Sequence, residues 1–280
     1  MRIARSLGCG FVVLLALWPL AGLKSHAGES GLATQPKLAA EAQQRLSALA
    51  TRYVDEGRVA GLHLMVNRGG QLVFETMVGQ RSMADNRPLS EDDLYRMYSM
   101  TKPITAVAIM QLYERGHFRL ADPITRWLPE LAGLRVRNLD GTLTRLDTPI
   151  TMRHLLTHTA GFSYGFDLSD PLDEAYRAAD LWGAADLDEW VRRLATLPLK
   201  FQPGARWHYS IASDLAGLLV QRMSGQSLAV YLQQAIFEPL KMTDTFFEVP
   251  TPQRSRLLDN HFWNKTAGAV ERGLGTVPAL

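Results

Sequence analysis

The stretch "SMTKPITAVAIMQLYERG" (99–116) constrains the fold more than any other. Its apolar residues fall on nearly every side of a helical projection, so the helix needs other elements around it. Proline is tolerated only in an opening turn, so Pro103 places the helix start close to Ser99. Gly116 marks its end. A chain of 280 residues is long enough to supply the surrounding body.

Upstream, residues 36–57 read as a helix with Leu38, Ala42, Leu46, Leu49 and Tyr53 on one face. Residues 59–79 switch to two apolar runs flanking "NRGG", the pattern of a β-hairpin. Residues 80–93 are polar loop, and 134–146 give a smaller hairpin with an Asp-Gly turn. From 151 onward the pattern is mostly helical, with loops at 161–172 and 197–208. Ser213 and Ser227 are placed to cap the last two helices. A lone hairpin is marginal in water, yet the last 40 residues show no convincing strand. The expectation is an α/β region followed by an all-α region, with an incomplete antiparallel sheet.

Residues 1–27 carry Arg2 and Arg5, an apolar run from Phe11 to Leu20, then "SHA". This is the layout of a secretory signal cleaved after Ala27. The apolar run is short for a membrane span, and no later stretch is long enough for one. The whole chain has 30 Lys+Arg against 28 Asp+Glu. The signal holds three of the bases and no acid, so the remainder carries 27 against 28. That balance gives a nucleic-acid partner no electrostatic support. Cys9, the one cysteine, leaves with the signal, so thiolate chemistry and disulfides are excluded from the mature chain. A periplasmic or secreted location is expected.

A serine hydroxyl becomes a useful nucleophile only with a base in reach. Ser99 has Lys102 three residues on, which puts both side chains on one face of a first helical turn. Desolvation and the positive end of the helix dipole both disfavour an ammonium there, and a neutral lysine can accept the serine's proton. The Ser99 N–H points toward a developing oxyanion. A helix cap with a surface lysine fits the motif, taken alone, equally well.

Two other motifs compete. "GFSYG" (161–165) matches Gly-x-Ser-x-Gly, but a nucleophile elbow needs a strand before the serine and a helix after it. Ser163 has helix-like "RHLLTH" before it and loop-like "FDLSDP" after it. "HLLTH" (154–158) spaces His154 and His158 as zinc ligands, but Leu155 stands where the metalloprotease motif needs glutamate. Packing or capping roles are expected for both, and His208 reads as a half-exposed loop residue. No metal or other cofactor is expected.

Segments 94–131, 150–162 and 201–247, including "SMTK", "HTAG" and "YSI", resemble the serine β-lactamase and penicillin-recognising superfamily. The resemblance is to its class C-like branch, which includes the family VIII carboxylesterases. It implies a β-lactamase/DD-peptidase-like fold over residues 36–280, with Ser99 as acylated nucleophile and Lys102 as its base. It also implies Tyr209 as the second proton-handling group. A phenol beside an ammonium loses its proton more readily and can then protonate a leaving group.

The chain departs from the family pattern twice. Ile211 stands where the β-lactamases carry asparagine, which favours an ester with an apolar acyl group over a β-lactam. The third family motif is missing: "NKTAG" (264–268) has Ala267 in place of the required glycine and shows no strand pattern. The chain therefore reads as a C-terminally truncated member. The expected activity is a serine esterase acting on a small-molecule ester or amide. A non-catalytic remnant or penicillin-binding module is the alternative, with β-lactamase, D-alanyl peptidase and acyltransferase behind.

Overall fold

The computed structural model of the chain describes residues 37–84 and 86–273. The segment read as a secretory signal and the start of the first helix at Pro36 lie outside the described residues. The described residues begin with a helix, α1 (Ala40–Asp55), and an antiparallel hairpin, β1 (Gly61–Arg68) with β2 (Gln71–Gly79). Gly69 and Gly70 both take positive φ, 59° and 78°, the tight hairpin turn that "NRGG" predicts. α1 packs on this hairpin, and Leu38, Ala42, Leu46 and Tyr53 of the expected stripe are partly buried, with Leu49 the exception. Ala50 is buried, whereas Leu49 is 39% exposed. Four-residue spacing from Ala42 and Leu46 leads to Ala50, which takes the buried place on that face.

The apolar stretch forms a 3-10 turn at Tyr98–Met100 and then α2 (Thr101–Glu114). Ser99 thus precedes the helix proper instead of lying in its first α-turn. Ala108, Ile109 and Leu112 are fully buried, but Val107 is 50% exposed, so α2 is covered on one side and open on the other. Its main partner is α6 (Ala212–Ser224). Between them the chain forms β3 (Arg135–Arg137) paired with β4 (Leu143–Arg145), then α3 (Met152–Leu156), α4 (Pro171–Ala178) and α5 (Leu187–Leu194). After α6 come α7 (Leu228–Leu232) and one π turn at Gln233–Phe237. A single hydrophobic cluster running from Ala108 to Phe237 ties this helical body together.

Ser227 caps α7 as expected, its side chain accepting from Val230 N–H. Ser213 does not cap α6: the N-cap is Ile211, and Ser213 lies inside the first turn. The chain end also differs from expectation. β5 (His261–Asn264) and β6 (Ala269–Arg272) form a third antiparallel hairpin. "NKTAG" makes its turn, where Asn264 Oδ1 accepts from the N–H groups of Thr266 and Ala267 and Gly268 takes a φ of 61°. Strands of four residues around a polar turn carry too little alternation to stand out in sequence. Among the described residues the three hairpins stay separate two-stranded sheets.

Two features of this body position the functional residues. The segment before β5 lies beside the one leading into α2: Leu94 bridges Leu257, and Arg96 donates to Leu258 C=O at 2.6 Å. The Asn260 side chain also donates to the Tyr98 hydroxyl. The loop after α3 is tied to the loop before α6. Backbone N–H groups of Lys200, Gly204 and His208 donate to the carbonyls of Gly161, Thr159 and His158 at 2.7, 2.8 and 2.8 Å. Those bonds bring residues near 164 against Tyr209.

Candidate active site

Ser99 sits at the entrance of α2, exposed, directly after Tyr98, whose φ of 43° is unusual for a bulky residue. Lys102 lies one turn on, and its Nζ is 3.3 Å from Ser99 Oγ. Tyr209 arrives from the loop before α6, with its hydroxyl 2.6 Å from Ser99 Oγ. The three residues expected from the sequence therefore meet, although Tyr209 is 110 positions from Ser99.

Lys102 Nζ also lies over two aromatic faces, 4.8 Å from the Tyr209 ring centre and 5.2 Å from that of Tyr164. The two ring faces hold the Lys102 amino group in position beside Ser99. The two tyrosine rings stack at 5.5 Å, and His158 stacks on Tyr209 at 5.1 Å. The Tyr164 hydroxyl donates to Asp214 Oδ2 at 2.7 Å. Burial, reinforced by Asp214, pushes the Tyr164 phenol far up, so it stays protonated. Burial also raises the Asp214 carboxyl, against the opposing pull of the Tyr164 hydrogen bond and the Lys102 charge.

Tyr164, Asp214 and the stacking of His158 are absent from the sequence reading. The one signal for Tyr164 was its place in "GFSYG": the tyrosine of that pentapeptide, not its serine, reaches the site. Ser163 is 1% exposed and donates to the Asp173 carboxylate at 2.5 Å. Asp173 in turn pairs with Lys200 at 2.6 Å and accepts from Asp167 N–H at 2.9 Å. Ser163 thus belongs to a buried polar knot that shapes the loop. Ser163→Ala is expected to leave probe labelling of the protein intact while lowering stability by about 1–3 kcal/mol, measured by urea unfolding.

The two histidines do not share one helical face. His154 Nδ1 accepts from Thr151 N–H in the capping box of α3, whereas His158 lies past the helix end with a φ of 53°. Among the described residues no group of three or more His, Cys, Asp or Glu is arranged to hold a metal ion. His208 is partly buried, edge-on to Phe201. Ile211 is 1% exposed and packed into the core, so its side chain does not line the site.

His154, His158, His208 and His261 all lie below the ordinary histidine value, chiefly through burial. For His158 the Lys102 charge adds to that effect. Groups with depressed values contribute fully above their unfolded value, about 6.5, and that stability is lost as pH falls through the lower folded values. The thermal midpoint is therefore expected to hold from about pH 8 to 7 and decline below about pH 6.5. His158→Gln should flatten part of that decline in a melting series across pH.

The profile of the beta-lactamase family matches residues 46–278, most of the chain. The chain belongs to the beta-lactamase family. Within it, the esterase EstB of Burkholderia gladioli is 38% identical over 224 residues, covering 77% of this chain and 54% of that protein. The unliganded structure of simvastatin synthase (LovD) from Aspergillus terreus superposes with a TM-score of 0.71 at 30% identity, covering 84% of this chain and 62% of that one. EstCE1, a hydrolase with promiscuous acyltransferase activity, superposes at 0.70 with 26% identity, covering 82% and 58%. These likenesses make the architecture a β-lactamase/penicillin-binding-protein-like fold. The chain spans about half the length of the curated relatives it matches. Among the described residues no helix is long and apolar enough to cross a membrane.

Proposed function

We propose that this chain is a serine esterase working through an acyl-enzyme on Ser99. The observation that carries the reading is the convergence of Tyr209 Oη and Lys102 Nζ on Ser99 Oγ, at 2.6 and 3.3 Å. In this reading Lys102 takes the hydroxyl proton as Oγ bonds to the ester carbonyl carbon, and the Ser99 N–H faces the new oxyanion. Tyr209 then protonates the departing alkoxide and is reprotonated from Lys102, leaving the acyl group on Ser99. Water entering in place of the alcohol reverses the proton movements and releases the acid.

The likeness to EstB supports hydrolysis of esters. The likeness to EstCE1 supports a second outcome of the same acyl-enzyme, transfer to an alcohol instead of water. With the core-facing Ile211 and no polar amide at that position, a β-lactam substrate has less support. The residue pattern of segment 1–27 supports export to the periplasm or beyond. Labelling with a fluorophosphonate probe, read by intact mass and peptide mapping, tests the proposal. One adduct, on Ser99, is the expected result. A folded protein that takes no adduct, or takes it on Ser163, would sink the reading.

A further inference from the structure

A cleft of about 400 Å³ is lined by Tyr164, Phe166, Asp167, Trp207, His208 and Tyr209, and it shares Tyr209 with the Ser99 hydrogen bond. Phe166 and Trp207 are each 64% exposed, unusual for rings that large. Phe166 lies nearly parallel on Tyr164, with centres 4.9 Å apart and planes 6° apart, so one of its faces is covered and the other is open. Trp207 stands edge-on to His158, 6.3 Å away, and His158 continues the stack through Tyr209 to Tyr164. The rings thus run Trp207, His158, Tyr209, Tyr164, Phe166 with Lys102 over the middle pair, and both end rings line the cleft.

We propose that this cleft is the subsite for the alcohol portion of the ester and that it takes a flat aromatic ring. The inference rests on the reading of Ser99 as the acylated nucleophile. Tyr209 both walls the cleft and hydrogen-bonds Ser99, so the group that protonates the leaving oxygen faces the space where the leaving alcohol sits. The open faces of Phe166 and Trp207 accept a ring by offset or edge-to-face stacking, which favours an aromatic group over a saturated one of equal size. The polar lining is already engaged: Ser163 and Lys200 hold Asp173, and Ser169 donates twice to Asp167. His208, kept below its ordinary value by burial, is neutral at pH 7. The pocket therefore has little to offer a charged group and much to offer a neutral ring.

Benzyl acetate and cyclohexylmethyl acetate have similar leaving groups and sizes and differ in aromaticity. The protein should hydrolyse the benzyl ester with kcat/KM about 3- to 10-fold higher. Phe166→Leu and Trp207→Leu should each bring that ratio close to one, whereas a merely structural defect would lower both rates together. Saturation-transfer NMR with benzyl alcohol and cyclohexylmethanol reads the subsite without turnover. Preferential binding of benzyl alcohol that either variant removes supports the subsite even if no ester is hydrolysed, in which case the esterase reading alone falls. Hydrolysis with a ratio near one, a ratio unchanged in both variants, or equal binding of the two alcohols would overturn the subsite.

Discussion

Ser99→Ala is expected to lower ester turnover by about 10⁴-fold or more, the loss typical of removing a nucleophile from a hydrolase. Ser99 is exposed and lies outside the core, and alanine is well tolerated at a helix entrance, so the fold should survive the change. Its hydroxyl is the shared partner of Tyr209 and Lys102, so under the proposed mechanism its removal leaves those two groups with no nucleophile between them. Comparing steady-state rates and thermal midpoints of the wild type and variant separates the two effects. Retained hydrolysis in a homogeneous S99A preparation would mean that another residue carries the chemistry.

A second large effect is expected at a residue that touches no substrate. Gly161 has a φ of 94°, and a Cβ there would lie 2.4 Å from the Phe201 carbonyl oxygen and 3.2 Å from Leu199 Cβ. Its own carbonyl accepts from Lys200 N–H at 2.7 Å, so the loop cannot swing aside without breaking that link. Gly161→Ala combines left-handed backbone strain with a backbone clash and is expected to cost about 3 kcal/mol. For a domain of this size that lowers the melting midpoint by about 6–12 °C. Because the same loop carries Tyr164, turnover at low temperature should also fall. An unchanged midpoint in a calorimetric scan would show that the loop yields without strain.

The legible parts of this protein share a physical property. The hairpin at β1 and β2, the apolar core of α2 and the pair Ser99 and Lys102 depend on neighbours within one turn or one hairpin, where spacing alone fixes geometry. Family motifs extended that reach to Tyr209. The second hairpin was likewise local, since an Asp-Gly pair declares a turn. The misreadings fell where local rules compete with packing. Ser213 had a cap's chemistry, but the helix began one residue earlier, at Ala212. Leu49 belonged to the apolar stripe by periodicity, yet Ala50 is the buried residue and Leu49 stays exposed.

By itself, then, the sequence determined the local elements, the Ser99-x-x-Lys102 spacing and the family. The tertiary structure alone decided that Tyr164 of "GFSYG" would join Tyr209 over Lys102, and what surrounds them. Tyr164 reaches Lys102 because cross-loop hydrogen bonds from Lys200, Gly204 and His208 fold one loop against another some forty to fifty residues away. The same folding buries Ser163 on Asp173 and leaves Phe166 and Trp207 open. A pentapeptide pattern records composition over five positions, whereas burial, the partner of a carboxylate and the free face of a ring depend on atoms that only the closed chain brings together.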